Sequence, residues 1–156
     1  VSMEKLFEHF RELNAPFFQD ESVTIETNPN NVSLSGDASK LIRVLQNLVG
    51  NAIDAIHQTE KPGTIVITAI DKGDTIYLSI SDNGPGIPNE IQSRFFEPFV
   101  TFDKSDGTGL GTAIVRSIVD AHHGNIMFAT STSGTTLTIQ LPKEHKASRV
   151  QPVTSA

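Results

Sequence analysis

DASKLIRVLQNLVGNAIDAIH, residues 37–57, decides the fold. On a helical wheel of about 100° per residue, Leu41, Val44, Leu45, Leu48, Val49, Ala52, Ile53 and Ile56 fill one broad arc. That arc predicts a core-facing helix over about 38–58, with Asp37 as its N-cap. Arg43, Asn47, Asn51 and Asp54 fall on a narrow opposite stripe. A solvated face usually carries Glu, Lys, Gln or Arg, because Asn and Asp are poorer helix formers. Short polar groups in mid-helix cost local stability, and they make sense where a ligand or metal must come close. An amide oxygen can bind Mg2+, and an amide meets phosphate oxygens without adding negative charge. On spacing alone, the solvated face and the ligand face stand level.

Working outward from this helix, residues 2–14 read as an amphipathic helix with Met3, Leu6, Phe7, Phe10 and Leu13 on one face, ended by Pro16. Val23 to Thr27 alternates as a strand does, and Pro29-Asn30-Asn31 makes a turn from which Val32 to Leu34 can return as a second short strand. Residues 64–70 and 75–81 form a hairpin about Lys72-Gly73-Asp74, with Ile76, Leu78 and Ile80 on one side and Tyr77, Ser79 and Ser81 on the other. A short helix near 89–96, a lid-like stretch over 97–109 and a helix over about 110–122 follow. Two strands, 125–130 and 135–141, close the domain about Ser133-Gly134. The tail 143–156 reads as disordered. The expected class is α/β: a two-layer sandwich with a mixed, mostly antiparallel sheet and helices on one face.

Composition sets the limits. A chain of 156 residues with 37% apolar and 19% charged residues suits one globular domain. A net charge of -6 argues against a nucleic-acid partner, which needs a basic face. There is no cysteine, so disulfide and zinc–thiolate frameworks are excluded and a reducing compartment, the cytoplasm, is expected. No apolar run approaches the roughly 18 residues of a membrane span, and Glu4, Lys5, Glu8 and Arg11 interrupt any signal peptide. No membrane insertion is therefore expected of this chain, which starts in mid-pattern like an excised domain.

Two further stretches carry chemistry. DNGPGIP, residues 82–88, follows a strand; Gly84 and Gly86 can take positive φ, and Pro85 and Pro88 restrict the chain. Asp82, at the strand end, is placed to accept from an adenine amino group and to repel a guanine carbonyl. The competing reading is an Asx turn in which Asp82 caps its own backbone. DGTGLGTAIV, residues 106–115, brings Gly107, Gly109 and Gly111 to a helix start, where N–H groups favour an anion. It is neither a Walker A loop nor a dinucleotide fingerprint, and glycines also serve plain turns. Before it, Phe95, Phe96, Phe99 and Phe102 suit either a lid anchored by rings or ordinary core packing, and Lys104 is placed to neutralise a terminal phosphate.

In this order the pieces resemble the catalytic, Bergerat-fold ATP-binding domain of bacterial sensor histidine kinases, in a superfamily with DNA gyrase, the 90-kDa heat-shock chaperone and mismatch-repair ATPases. LQNLVGNAIDAI (45–56) is similar to the asparagine box, DNGPGIP (82–88) to the first glycine box and RFFEPF (94–99) to the phenylalanine box. GTGLGTAIV (107–115) is similar to the second glycine box and SGTTLTIQLP (133–142) to the last motif. The resemblance covers residues 23–142. It implies ATP and Mg2+ as ligands: Asn51 on the metal, Asn47 on the phosphates and in catalysis, Asp82 on the adenine amine, and Thr135 in support. Gly107, Gly109 and Gly111 frame the triphosphate, and Asp54, Gly84, Gly86, Ile87, Lys104, Thr108 and Leu110 complete the ATP-binding set. Asp54 stands where many relatives carry Lys, Thr112 where Leu is usual, and Leu137 where Phe is common. His122 and His123 are expected to be structural.

The family's hydrolysing branches place a water-activating Glu where Asn47 stands, and an amide is no general base. The resemblance therefore implies transfer to a side chain, the γ-phosphate passing to a histidine of a separate dimerisation domain and on to a response regulator. His9 lacks the sequence context of that acceptor, so this chain should bind ATP but autophosphorylate poorly. Residues 1–20 are expected to be the tail of the dimerisation helix and its linker, 21–142 the catalytic domain. The chain alone should be monomeric and the parent a homodimer, with membrane attachment of the parent left open. Two alternatives share the boxes: an anti-sigma-type serine kinase and a non-catalytic, nucleotide-gated docking module.

Overall fold

The computed structural model describes residues 1–96 and 111–144. Its centre is α3 (Ala38–Thr59), which Asp37 caps by accepting from Lys40 N–H at 3.1 Å. The helix ends at Glu60, which takes the left-handed conformation at φ 59°. The whole predicted arc is buried, and so is Ile42 on its flank. The arc is wider than a one-sided helix needs because α1 (Met3–Leu13) and α5 (Gly111–Ala121), the next helix after the single-turn α4 (Asn89–Gln92), both pack against α3.

Behind α3 lies a five-stranded sheet of β1 (Val23–Asn28), β2 (Gly63–Asp71), β3 (Thr75–Asp82), β4 (Asn125–Ser131) and β5 (Gly134–Pro142), in the order β1-β2-β3-β5-β4. β1 runs parallel to β2, while the other pairs are antiparallel. Strand alternation aims Ile65, Ile67 and Ala69, then Ile76, Leu78 and Ile80, then Leu137, Ile139 and Leu141 into the same core as the apolar arc of α3. The opposite face keeps Tyr77, Ser79 and Ser81 half-exposed. This is the expected two-layer sandwich.

The N-terminal region departs from expectation in two places. Val32–Leu34 does not return along β1. Asn30 and Asn31 both take positive φ, 52° and 57°, and turn the chain away, so that Ser33 bridges antiparallel to Ser2. Met3 N–H donates to Val32 at 2.8 Å, and Leu34 N–H to Val1 at 3.0 Å. α1 ends at Leu13, ahead of Pro16 as expected, but Pro16 then sits in the first turn of an unexpected second short helix, α2 (Ala15–Gln19), where its missing N–H costs nothing. Met3, Leu6, Phe7 and Phe10 of α1 are buried in the common core, so the first residues pack as part of this domain. Among the described residues no helix is long and apolar enough to cross a membrane.

Candidate functional site

One cleft opens between α3 and the ends of β3 and β5. Leu48, Asn51, Ala52 and Ala55 supply its helix wall, at the i, i+3, i+4, i+7 spacing of one helical face. Asp82 and Thr135, direct cross-strand partners, supply its sheet wall with Leu137. Gly86, Ile87 and Phe95 complete it. The arrangement is apolar, with a few convergent polar groups, as small-molecule clefts are.

The carboxylate of Asp82 is held from its own turn, its Oδ1 accepting from Gly84 N–H at 2.8 Å. Burial pushes its pKa above the ordinary carboxylate value, while the N–H groups of Gly84 and Thr135 pull the other way. The Asx turn and the cleft position thus coexist: one oxygen caps the turn while the side chain lines the cleft. Two glycines make this geometry possible. Gly86, at φ 87°, lies where a Cβ would meet the Ser131 carbonyl oxygen at 2.1 Å. Gly134, at φ 142°, lies where one would meet the Asp82 carbonyl oxygen at 2.1 Å. Backbone therefore packs on backbone at the strand end of the cleft.

At the helix end, Asn47 Nδ2 donates to the Arg43 carbonyl at 2.9 Å. Its Oδ1 sits against the first residue of α5: a Cβ on Gly111 would lie 2.9 Å from it. Thr112, noted as a departure from the family, is buried and donates to the Phe95 carbonyl at 2.7 Å, tying α5 to the cleft wall. Asp54 is half-buried on α3 and does not line the cleft. Lys104, Gly107, Thr108, Gly109 and Leu110 lie outside the described residues, as do Phe99 and Phe102. Phe95 is buried and Phe96 partly so, in a ring cluster with Phe128 whose centroids stand 5.0 to 6.2 Å apart. His122 is buried between helices: its Nε2 accepts from Asp37 N–H at 3.1 Å, which leaves Nδ1–H to donate to the Ile118 carbonyl at 2.9 Å.

Sequence reasoning missed Ala55 and Thr130. Ala55 is one turn beyond Asn51, so the helical period could have found it. Thr130 sits one residue pair in from the β4–β5 turn, opposite Thr135. Its hydroxyl accepts from Ile87 N–H at 2.9 Å and stands 2.9 Å from Thr135 Oγ1.

A model of the histidine kinase-, DNA gyrase B- and HSP90-like ATPases matches residues 36–145, which take in the whole cleft. The chain belongs to that family. Sporulation kinase B of Bacillus subtilis (strain 168) is 38% identical over 128 residues, covering 81% of this chain and 29% of that protein. The nucleotide-free catalytic domain of the histidine kinase ThkA superposes with a TM-score of 0.79 at 31% identity, over 94% of this chain and 95% of that one. ThkA solved in complex with the response regulator protein TrrA gives 0.73 at 28% identity, over 92% of this chain and 41% of that one. Within the family, then, the chain is a catalytic domain of the histidine kinase type, with an ATP-binding fold. It spans 29%, 26% and 20% of the length of three of the curated relatives that it matches.

Proposed function

We propose that this chain binds Mg2+-ATP in the cleft between α3 and the β3 and β5 ends, and that it serves a two-component sensor histidine kinase. The γ-phosphoryl group would pass to a histidine on a separate dimerisation domain and from there to a response regulator. One observation carries the reading: Asp82 and Thr135 meet side by side on the sheet wall of an apolar cleft whose helix wall presents Asn51. Adenine would slide between Leu48, Ala52 and Leu137 with its amino group toward the Asp82 carboxylate.

The donor set suits a metal that arrives with its ligand. Among the described residues no group of three or more His, Cys, Asp and Glu could hold a metal ion. Asn51 lines the cleft, and its amide oxygen would suit Mg2+ whose other ligands are phosphate oxygens and water. Bound there, Mg2+ would offset the charge on the β- and γ-phosphates. Asn47, against the start of α5, would orient the phosphates, with Lys104, Gly107, Thr108, Gly109, Leu110 and Gly111 framing them. Asp82 is the one carboxylate among the described cleft residues, and it sits at the base end, bound to its own turn. No other described carboxylate lines this cleft, and Asn47 is an amide, which supports transfer over hydrolysis. Likeness to sensor histidine kinases favours a histidine acceptor over a serine on a partner. The parent would be a homodimer, and α1, buried against α3, would join this domain to the dimerisation helix as a stiff connection.

The test is a titration of ATP with and without Mg2+. Mg2+ should tighten binding to the wild type and leave Asn51→Ala indifferent to the metal. A full Mg2+ response in Asn51→Ala would remove Asn51 from the metal site.

A further inference from the structure

Thr130 lies on β4, apart from the residues that line the cleft, yet its hydroxyl joins the DNGPGIP turn to Thr135. At its first contact the partner is the Ile87 N–H, which can only donate, so Thr130 is the acceptor there, at 2.9 Å. Its single proton then has two receivers in view, Thr135 Oγ1 at 2.9 Å and the Gly134 carbonyl at 3.5 Å. Hydroxyl hydrogen bonds run about 2.5–3.0 Å, so the proton goes to Thr135. Thr135 then spends one of its two lone pairs on Thr130, so its proton cannot point back at Thr130 and is available toward the cleft, beside Asp82. The chain has one direction: Ile87 amide to Thr130, Thr130 to Thr135, Thr135 to whatever occupies the cleft.

We propose that Thr130 is a specificity-determining positioning residue: it fixes Thr135 as a donor beside the Asp82 acceptor, so that the cleft takes 6-aminopurines and rejects 6-oxopurines. The inference rests on the nucleotide reading of the cleft. Adenine offers an amino donor next to a ring-nitrogen acceptor, the complement of an acceptor beside a donor. Hypoxanthine and guanine offer a carbonyl next to a ring N–H, so both contacts are reversed. A buried polar mismatch of this kind discriminates far better than a change in apolar shape. Without the Thr130 hydroxyl, Thr135 can rotate and accept from the ring N–H, and one of the two mismatches disappears.

The experiment measures dissociation constants for ATP and inosine triphosphate, both with Mg2+, on the wild type, Thr130→Ser and Thr130→Val. The serine variant keeps the hydroxyl and should keep the wild-type ratio of the two constants. The valine variant should narrow that ratio by about tenfold, the worth of one hydrogen bond. Loosening of the β4–β5 hairpin weakens both nucleotides together and leaves the ratio alone, so a merely structural role would not narrow it. Should the valine variant not fold, Thr130→Cys replaces the hydroxyl with a weak donor of similar size and is expected to narrow the ratio likewise. A wild type that binds ATP, with an unchanged ratio in the folded Val or Cys variant, overturns this inference alone. A wild type that binds neither nucleotide overturns the nucleotide reading and this inference with it.

Discussion

The strand end and the helix end of the cleft are held in different ways. At the strand end main chain packs on main chain: Gly86 lies against the Ser131 carbonyl, Gly134 lies against the Asp82 carbonyl, and the Asp82 carboxylate is bound to its own turn. At the helix end a side chain, Asn47, fills the space beside Gly111. Backbone contacts cannot yield by rotating a bond, whereas an asparagine can. The base end should therefore be rigid and costly to alter, and the helix end adjustable at little cost to the fold.

The hardest test of that contrast is to add one carbon at the strand end. In Gly134→Ala the new Cβ would face a carbonyl oxygen at 2.1 Å from a backbone at φ 142°, and in Gly86→Ala it would do so at 2.1 Å and φ 87°. Each should lose about 3 kcal/mol of unfolding free energy in urea, the sum of a disfavoured φ and a backbone clash. A loss below about 1 kcal/mol would mean that the strands slide apart, and the rigidity assigned to this end would be wrong.

A smaller effect, and one of mixed sign, is expected for Asp82→Asn. ATP binding should weaken about thirtyfold, since a hydrogen bond to a charged group is worth about 2 kcal/mol. Stability at neutral pH should rise instead. Burial raises the folded-state pKa of Asp82, so between the unfolded and folded values the native state binds more protons than the unfolded state. The wild type consequently loses stability as pH rises through the folded pKa, and recovers it fully only below the unfolded value of 3.8. Asp20, Asp37 and Asp71 run the other way. Hydrogen bonds from Ser22, Ser39 and Lys143 respectively lower their pKa values, so their stabilisation is present above 3.8 and is lost as pH falls through the folded values. The advantage of the Asn variant should shrink on acidification, as measured by urea midpoints from pH 7 down to 4. A variant less stable than the wild type at pH 7 would show that Asp82 contributes more to the turn than its burial costs.

The same contrast explains what could be read in advance. The α3 arc and the DNGPGIP turn are written in local signals, a helical period and the placement of glycines and prolines, so the sandwich and Asp82 were legible. Pairing was not. β1 takes β2 as a parallel partner across α3, and Ser33 pairs with Ser2, because the choice lies with Asn30 and Asn31 φ angles that no period encodes. Thr130 was invisible for the same reason: its role depends on the register that sets it opposite Thr135 and on a contact with Ile87 from another segment. The flank of α3 was underestimated at Ile42, because a helical wheel does not show that helices cover it from both sides.

The slightest expected change sharpens the contrast most. In Gly111→Ala the added Cβ would stand 2.9 Å from Asn47 Oδ1, the tip of a side chain. Asn47 can rotate away, and alanine is the better helix former, so unfolding free energy should stay within about 0.5 kcal/mol of the wild type. Displacing Asn47 should still weaken ATP severalfold while adenosine, which has no phosphates, binds as before. Asp82→Asn, by contrast, should weaken both ligands. Two variants at the two ends, read with two ligands, thus separate base recognition from phosphate positioning. If Gly111→Ala instead unfolds as readily as Gly134→Ala, or weakens adenosine as much as ATP, the helix end is no more adjustable than the strand end, and the division of labour between them fails.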